Sequence, residues 1–302
     1  MSKAVIFSLS ILLSFSLACD KSHSGIENTH YYLDQEPPKL LPKLFARGII
    51  SMDGRYEHGI SFSPDLHEVY FSANLPDQDP SIFYSILKNG KWSRPEKANF
   101  TKGIKVGEMH PFVSPSGKKI HFAAHDKFTE PDDPESVKTW FVERDKESWS
   151  EAKQLDSPIN NDFIFYTNEA KNGDLFYTNI SQFKMYYSPK SDSGYQELIQ
   201  LDMKGLHGFV SPSQDYLVIN ASNNEDSERK SDIYVYFRKE DGSWSNGIAL
   251  DENVNTNYSE TCPSITPDGK FLFFSRYNEE NEISNFYWVS TEVIYKLRPQ
   301  SL

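Results

Sequence analysis

Three glutamates and a set of histidines stand at fixed distances from a repeated turn. Glu57, Glu108 and Glu260 each precede a Ser-Pro or Thr-Pro pair by six residues, the pairs beginning at Ser63, Ser114 and Thr266. Two positions further on come His110 and Cys262, with Gly59, Tyr166 and His207 at the same point in the other copies of the turn. His58 is one position off that register. Paired carboxylates can act as acid and base, or acid and nucleophile, on a glycosidic bond when they flank it roughly 5–9 Å apart. Carboxylates beside imidazoles and a phenol can instead line a polar, aromatic-edged pocket for a ligand or peptide. They can also simply accept backbone N–H groups of the next segment. The candidate ligand-binding set is therefore Glu57, His58, Glu108, His110, Tyr166, His207 and Glu260, with no catalytic role assigned. His110, His207 and Cys262 are ligand types for a transition metal. They fall on separate copies of the repeat and would have to bridge its centre, so neither a metal nor another cofactor is expected.

What must position these residues is the repeat itself. It reads Ser63-Pro64-Asp65-Leu66-His67, Ser114-Pro115-Ser116-Gly117-Lys118, Ser211-Pro212-Ser213-Gln214-Asp215 and Thr266-Pro267-Asp268-Gly269-Lys270, with a degenerate copy at Ala170-Lys171-Asn172-Gly173-Asp174. Pro presets φ, Asp bonds its own backbone and Gly accepts positive φ, so each copy predicts a tight turn. A short run follows each turn, such as Val69-Tyr70-Phe71-Ser72 or Leu272-Phe273-Phe274-Ser275, with the aromatic and β-branched content of a strand. A second hairpin signal comes later in most copies, for example Ile82 to Leu87 leading to Asn89-Gly90-Lys91-Trp92. Two hairpins per repeat, at a period of about fifty residues, predict one four-stranded propeller blade per copy.

The expected fold is all-β, a five-bladed β-propeller with four antiparallel strands per blade. After the fifth turn and its run Leu272 to Ser275, the sequence supplies a third strand, Asn285 to Val289, and no fourth. The segment Leu41 to Ile50, ahead of the first turn, is the natural candidate for the missing strand. A strand from one end completing a blade begun by the other would close the ring and protect its last edge. The Trp residues after Gly are read as staples between blades rather than sugar platforms.

The Ser-Pro-Asp-Gly-Lys hairpins resemble the WD40-like repeat, also called PD40, of TolB-like bacterial propellers, over roughly residues 40–302. Thr266-Pro267-Asp268-Gly269-Lys270 and Ser63-Pro64-Asp65 are the best copies. The resemblance implies the fold and a place in the cell envelope. The third copy departs from it by lacking Ser-Pro. TolB also carries six repeats and a further N-terminal domain, so its particular role does not transfer.

The chain divides into a signal peptide at residues 1–18, a lipidated tether at 19–37 and the propeller at 38–302. Lys3 gives a basic start and Ala4 to Leu17 is apolar and serine-rich, of signal-peptide length. Ser16-Leu17-Ala18-Cys19 resembles a bacterial lipobox, which makes Cys19 the expected lipidation site. Ser16 and Ala18 also satisfy ordinary signal cleavage, in which case the protein is secreted. The second cysteine of the chain, Cys262, suggests no disulfide. The net charge of −12 argues against nucleic-acid partners, because phosphates would be repelled. The expected protein is a monomeric module of the bacterial cell envelope, periplasmic or on a membrane face, that touches the membrane through its lipid. Its partner would be an envelope protein, a peptide or a glycan. The alternative is a carbohydrate-active enzyme, glycosidase- or lyase-like, that uses the three glutamates. A Gly-x-Ser-x-Gly elbow is approached by Gly59-Ile60-Ser61-Phe62-Ser63 and fails at the second glycine.

Overall fold

The computed structural model describes residues 29–127, 137–222 and 231–300. The signal peptide and Cys19 lie outside these residues, as does the first part of the tether.

The protein is nearly all β, and its strands form successive antiparallel sheets. A short strand β1 (Lys43–Leu44) comes first. β2 (Tyr56–Phe62), β3 (Glu68–Asn74) and β4 (Ser81–Lys88) follow, and β4 carries the two-residue strands β5 (Lys91–Trp92) and β6 (Glu96–Lys97). The next sheet repeats that plan with β7 (Gly107–Val113), β8 (Lys119–His125), β9 (Lys138–Asp145), β10 (Ser148–Trp149) and β11 (Lys153–Gln154). Then come β12 (Ile164–Glu169), β13 (Leu175–Asn179) and β14 (Lys184–Ser188), a small hairpin of β15 (Lys190–Ser191) and β16 (Gly194–Tyr195), and β17 (Ile199–Lys204) back on β14. β18 (Leu206–Val210), β19 (Tyr216–Ala221), β20 (Asp232–Phe237) and β21 (Ile248–Ala249) make the fourth sheet. β22 (Ser259–Ile265), β23 (Phe271–Asn278) and β24 (Ile283–Ser290) make the last. The first strands of the sheets touch in a cycle: β2 meets β7, β7 meets β12, β12 meets β18, β18 meets β22, and β22 returns to β2. Sheets set radially around such a ring form a β-propeller.

Closure takes the expected route. β1 pairs antiparallel with β24, Lys43 opposite Trp288 and Leu44 opposite Tyr287, and the Phe45 N–H extends the ladder to the Phe286 carbonyl at 2.8 Å. The packed body starts earlier than the expected boundary at residue 38. Tyr32 and Leu33 are buried in the same cluster as Phe62, Phe271 and Trp288, and Tyr32 Oη donates to Asp268 at 2.7 Å. After β24 the chain forms a single helical turn, α1 (Glu292–Tyr295), whose Val293 and Ile294 are buried.

The predicted turns form as the residue types require. Ser63, Ser114, Ser211 and Thr266 each turn their hydroxyl back on the first residue of the next strand or its neighbour; Glu68 N–H donates to Ser63 Oγ at 2.9 Å and Phe271 N–H to Thr266 Oγ1 at 3.1 Å. The fourth turn residue is left-handed throughout, at Leu66, Gly117, Gly173, Gln214 and Gly269. Glycine fits that place without strain, and Leu66 and Gln214 hold it against their preference.

The core is divided among the seams between sheets. Alternate residues of one strand face opposite seams: Val69 and Phe71 of β3 join the cluster with Phe273 and Trp288, whereas Tyr70 joins Phe100, Ile120 and Phe122. Both faces of each central strand are thus buried, which is why these strands read as unbroken apolar runs.

Candidate functional site

At the centre of the ring every inner strand carries the same irregularity. Gly59, His110, Tyr166, His207 and Cys262 all have positive φ, between 49° and 62°, and each lies where the pairing with the following strand slips by a residue. A bulge of this kind turns one side chain away from the pleat. Repeated around the ring, it aims the side chains of four strands at one another. The conformation is unfavourable for a branched or bulky residue, and such strain concentrates at functional positions.

The result is a plug of rings across the channel. The His110 ring lies 4.8 Å from His58, 5.2 Å from His207 and 5.3 Å from Tyr166, centroid to centroid. Phe165 lies parallel to His207 at 6.3 Å. The Tyr166 hydroxyl spans the hub to the carbonyls of Cys262 and Pro263, both at 2.9 Å. The His110, His207 and Cys262 donor atoms lie within 4.8 Å of one another. The span across the centre that counts against metal ligation in the sequence is therefore absent, because a ring this small brings the bulged residues of non-adjacent strands together.

Residues just behind the plug fix its orientation, and the sequence reading did not single them out. Asn220 Oδ1 meets the Cys262 N–H at 3.3 Å and His207 Nδ1 at 3.0 Å. An oxygen that accepts the Cys262 N–H is an acceptor for His207 as well, so Nδ1 carries the proton and Nε2 keeps its lone pair. Ser72 Oγ accepts the His110 N–H at 2.7 Å, and Asn74 Oδ1 holds His58 Nε2 at 2.9 Å. Ser72, Thr178 and Asn220 occupy the fourth place of the run after each turn, a polar residue closing an apolar strand, and that pattern was the available signal. His110 Nδ1 has no hydrogen-bond partner and is buried.

Burial keeps these rings neutral. It pushes His58 down to about 4 against its bond to Asn74, and holds His110 well below the ordinary imidazole range, with His58 and His207 adding to the effect. His207 keeps some exposed surface, yet its ring is surrounded by Phe165, Tyr166 and His110, and loss of solvent pushes it down to about 4. Burial also pushes the Cys262 thiol up to about 12.

The three glutamates belong to the seams. Glu57, Glu108 and Glu260 are all buried. Glu57 accepts the Met52 N–H at 2.8 Å and Asn285 Nδ2 at 3.2 Å. Glu108 accepts the Phe100 N–H at 3.1 Å and both the N–H and hydroxyl of Thr101 at 2.6 Å. Glu260 accepts the N–H and hydroxyl of Thr256 and Arg276 Nε, at 3.0, 2.7 and 2.8 Å. Each carboxylate thus anchors the loop that leads into its own strand. Burial raises Glu57 to about 7 against the Met52 and Asn285 bonds, and raises Glu260 also.

One side of the hub opens into a shallow depression of about 580 Å³. It is lined by the loop from Asn74 to Pro80 together with Met109, His125 and Phe165. Asn74 and Phe165 join it to the plug, since they touch His58 and His207. On the other side Ile60, Phe112 and Phe209 enclose a void of about 10 Å³, room for one water at most.

No protein-family model matches the chain, and no curated protein does. Solved structures resemble it in fold. The catalytic domain of the Coprinopsis cinerea GH62 α-L-arabinofuranosidase aligns over 84% of this chain and 97% of its own, at 10% identity and a TM-score of 0.52. The GH43 endo-arabinanase of Bacillus licheniformis aligns over 79% of this chain and 94% of its own, at 11% identity and a TM-score of 0.47. TolB from Acinetobacter baumannii aligns over 77% of this chain at 14% identity and a TM-score of 0.46. The chain matches only 53% of TolB's length. At 10% identity the likeness to the GH62 domain is one of fold alone, and it fits the propeller. Among the described residues no helix is long and apolar enough to cross a membrane.

Proposed function

We propose that the chain is a five-bladed propeller of PD40, TolB-like type, exported and held at a bacterial membrane by a lipid on Cys19. It acts as a binding module for a protein, peptide or glycan of the cell envelope. The observation that carries the binding reading is the contrast between the two groups of carboxylates. Glu57, Glu108 and Glu260 spend their oxygens on loop N–H groups and Arg276, which leaves them poorly placed as acid and base for sugar cleavage. Asp77 and Asp79 are exposed on the wall of the depression, beside Met109 and Phe165. Loops from a rigid ring that converge on an open, mixed polar and aromatic face are the usual equipment of a binding site. The Ser16-Leu17-Ala18-Cys19 sequence supports the anchor.

The test is a glycan and peptide screen of residues 29–302, with hits measured by calorimetry. The fragment starts at Thr29 because Tyr32 and Leu33 are part of the core. A ligand whose affinity falls at least tenfold in Asp77→Asn plus Asp79→Asn, at unchanged melting temperature, supports the reading. Hydrolysis of a glycan, lost in Glu57→Gln or Glu260→Gln, would replace it with the glycosidase alternative.

A further inference from the structure

We infer that His110, His207 and Cys262 form a binding site for one divalent ion of the zinc class at the hub of the propeller. This does not rest on the binding role assigned to the depression. The three donor atoms already converge within 4.8 Å. Donors around a tetrahedral zinc, at bond lengths of about 2.0–2.3 Å, lie roughly 3.3–3.8 Å from one another. A contraction of about 1 Å, within reach of small side-chain rotations, closes the set. Three features that packing alone does not explain fall into place with an ion there.

The first is His110 Nδ1, a buried nitrogen with no partner. Leaving such a group unsatisfied is costly, and an ion would satisfy it. The second is Gly59. It is the one member of its register without a side chain, and a Cβ there would stand 3.0 Å from His110 Nδ1 and 3.3 Å from His110 Cα. Glycine keeps the space in front of that nitrogen open. The third is Asn220, which takes the proton of His207 Nδ1 and the backbone N–H of Cys262 on a single oxygen. Bonding of this kind fixes the tautomer and ring orientation of a metal-bound histidine.

The donor set selects the ion. Two imidazole nitrogens and one sulfur suit zinc and its neighbours, and not calcium or magnesium, which take oxygen. On binding, the Cys262 S–H bond breaks, the proton leaves to solvent and the sulfur bonds the metal as a thiolate, so one proton is released per ion bound. Three protein donors leave a fourth place for water or an outside ligand, and His207 reaches the partly exposed side of the hub.

The experiment uses chelator-treated full-length Cys19→Ser protein, in which Cys262 is the one remaining thiol. Cobalt(II) is titrated and the thiolate-to-cobalt charge-transfer absorption is followed. One equivalent should saturate the band, zinc(II) should abolish it by displacement, and zinc should raise the melting temperature. Asn220→Ala should weaken cobalt binding on the order of 10–100-fold while the thiolate band persists at saturation. No charge-transfer band with excess cobalt on the folded protein overturns the site. So does cobalt binding that shows only nitrogen and oxygen ligation. The band in the Cys19→Ser protein decides the matter even if Cys262→Ser fails to fold.

Discussion

Arg144 and Glu68 meet at two points, Nη1 to Oε1 at 3.0 Å and Nη2 to Oε2 at 2.6 Å, across the seam between the β2–β4 and β7–β9 sheets. The same guanidinium lies 3.8 Å from the centroid of the Trp149 ring, and the Trp149 indole N–H donates to Tyr70 Oη at 2.9 Å. The tryptophan after the hairpin therefore staples sheet to sheet, as its sequence position suggests. Both charges are mostly shielded from solvent, with 24% and 15% of their side-chain surface exposed. Arg144→Ala should cost about 1–3 kcal/mol, because it leaves the Glu68 carboxylate partly desolvated and without its cation, held by the Tyr70 hydroxyl at 2.9 Å. Arg144→Ala plus Glu68→Ala should cost less than the sum of the two single changes. Chemical denaturation of the four proteins measures this, and simple additivity would show that the pair is not coupled.

Ring closure gives a larger effect. Phe45 and Ile50 are fully buried and Tyr32 nearly so, and the strand Lys43–Leu44 covers the open edge of β24. A protein starting at Tyr56 loses all three side chains from the core, at about 1.5–3 kcal/mol each, in addition to the edge pairing. It should be less stable than one starting at Thr29 by more than about 5 kcal/mol, or fail to fold. Equal denaturation midpoints for the two would mean that the N-terminal strand is dispensable.

How far the sequence reaches can be judged from the register itself. The turns, the seams and the closing strand are local or periodic signals, and Pro-Asp-Gly chemistry with alternating burial made them legible. The alignment of Glu57, Glu108 and Glu260, and of His110, Tyr166, His207 and Cys262, was legible for the same reason. Which way each residue points was not. Glu108 and His110 stand two places apart and would share a face of a regular strand, yet across the bulge Glu108 turns into a seam while His110 turns into the channel. That choice depends on a left-handed φ no composition rule announces at histidine, tyrosine or cysteine. The width of the hub, which decides whether His110 can meet Cys262, is a property of the closed ring and not of any one repeat.

Glu108 is the clearest test of the seam role. Its two oxygens receive three protein donors: the Phe100 N–H, the Thr101 N–H and the Thr101 hydroxyl. Glutamine offers one acceptor oxygen, and its NH₂ would face an N–H. Glu108→Gln should therefore destabilise the protein by about 1.5–3 kcal/mol, the worth of charge-assisted bonds. An unchanged melting temperature with lost ligand binding would instead return Glu108 to the list of ligand-binding residues.

The anchor is tested in cells. Cys19 should carry a diacylglyceryl-type lipid, whose paired acyl chains in one leaflet give stable attachment, so the protein should fractionate with membranes. Metabolic labelling with a fatty-acid probe should mark the wild-type protein and leave Cys19→Ala unmarked. Unlabelled wild-type protein in the soluble fraction would point to ordinary signal cleavage.

Glu57 makes a prediction about pH. Burial raises its carboxyl from 4.5 to about 7, despite the Met52 N–H and the Asn285 amide. The folded state thus holds this proton more tightly than the unfolded chain does. Between the two values the native protein binds more protons, so its stability falls as pH rises from about 4.5 to 7 and levels off above. One group contributes a slope of at most about 1.4 kcal/mol per pH unit, opposite in sign to that of a salt-bridged carboxylate. Glu57→Gln carries no titrating group, and an amide oxygen can still accept the Met52 N–H. The difference in unfolding free energy between Glu57→Gln and wild type should therefore move in favour of the variant as pH rises through this window, and stay constant below it. Urea denaturation at half-unit steps from pH 4 to 8 measures that difference. A difference independent of pH would show that Glu57 ionises in the fold as readily as it does in the unfolded chain.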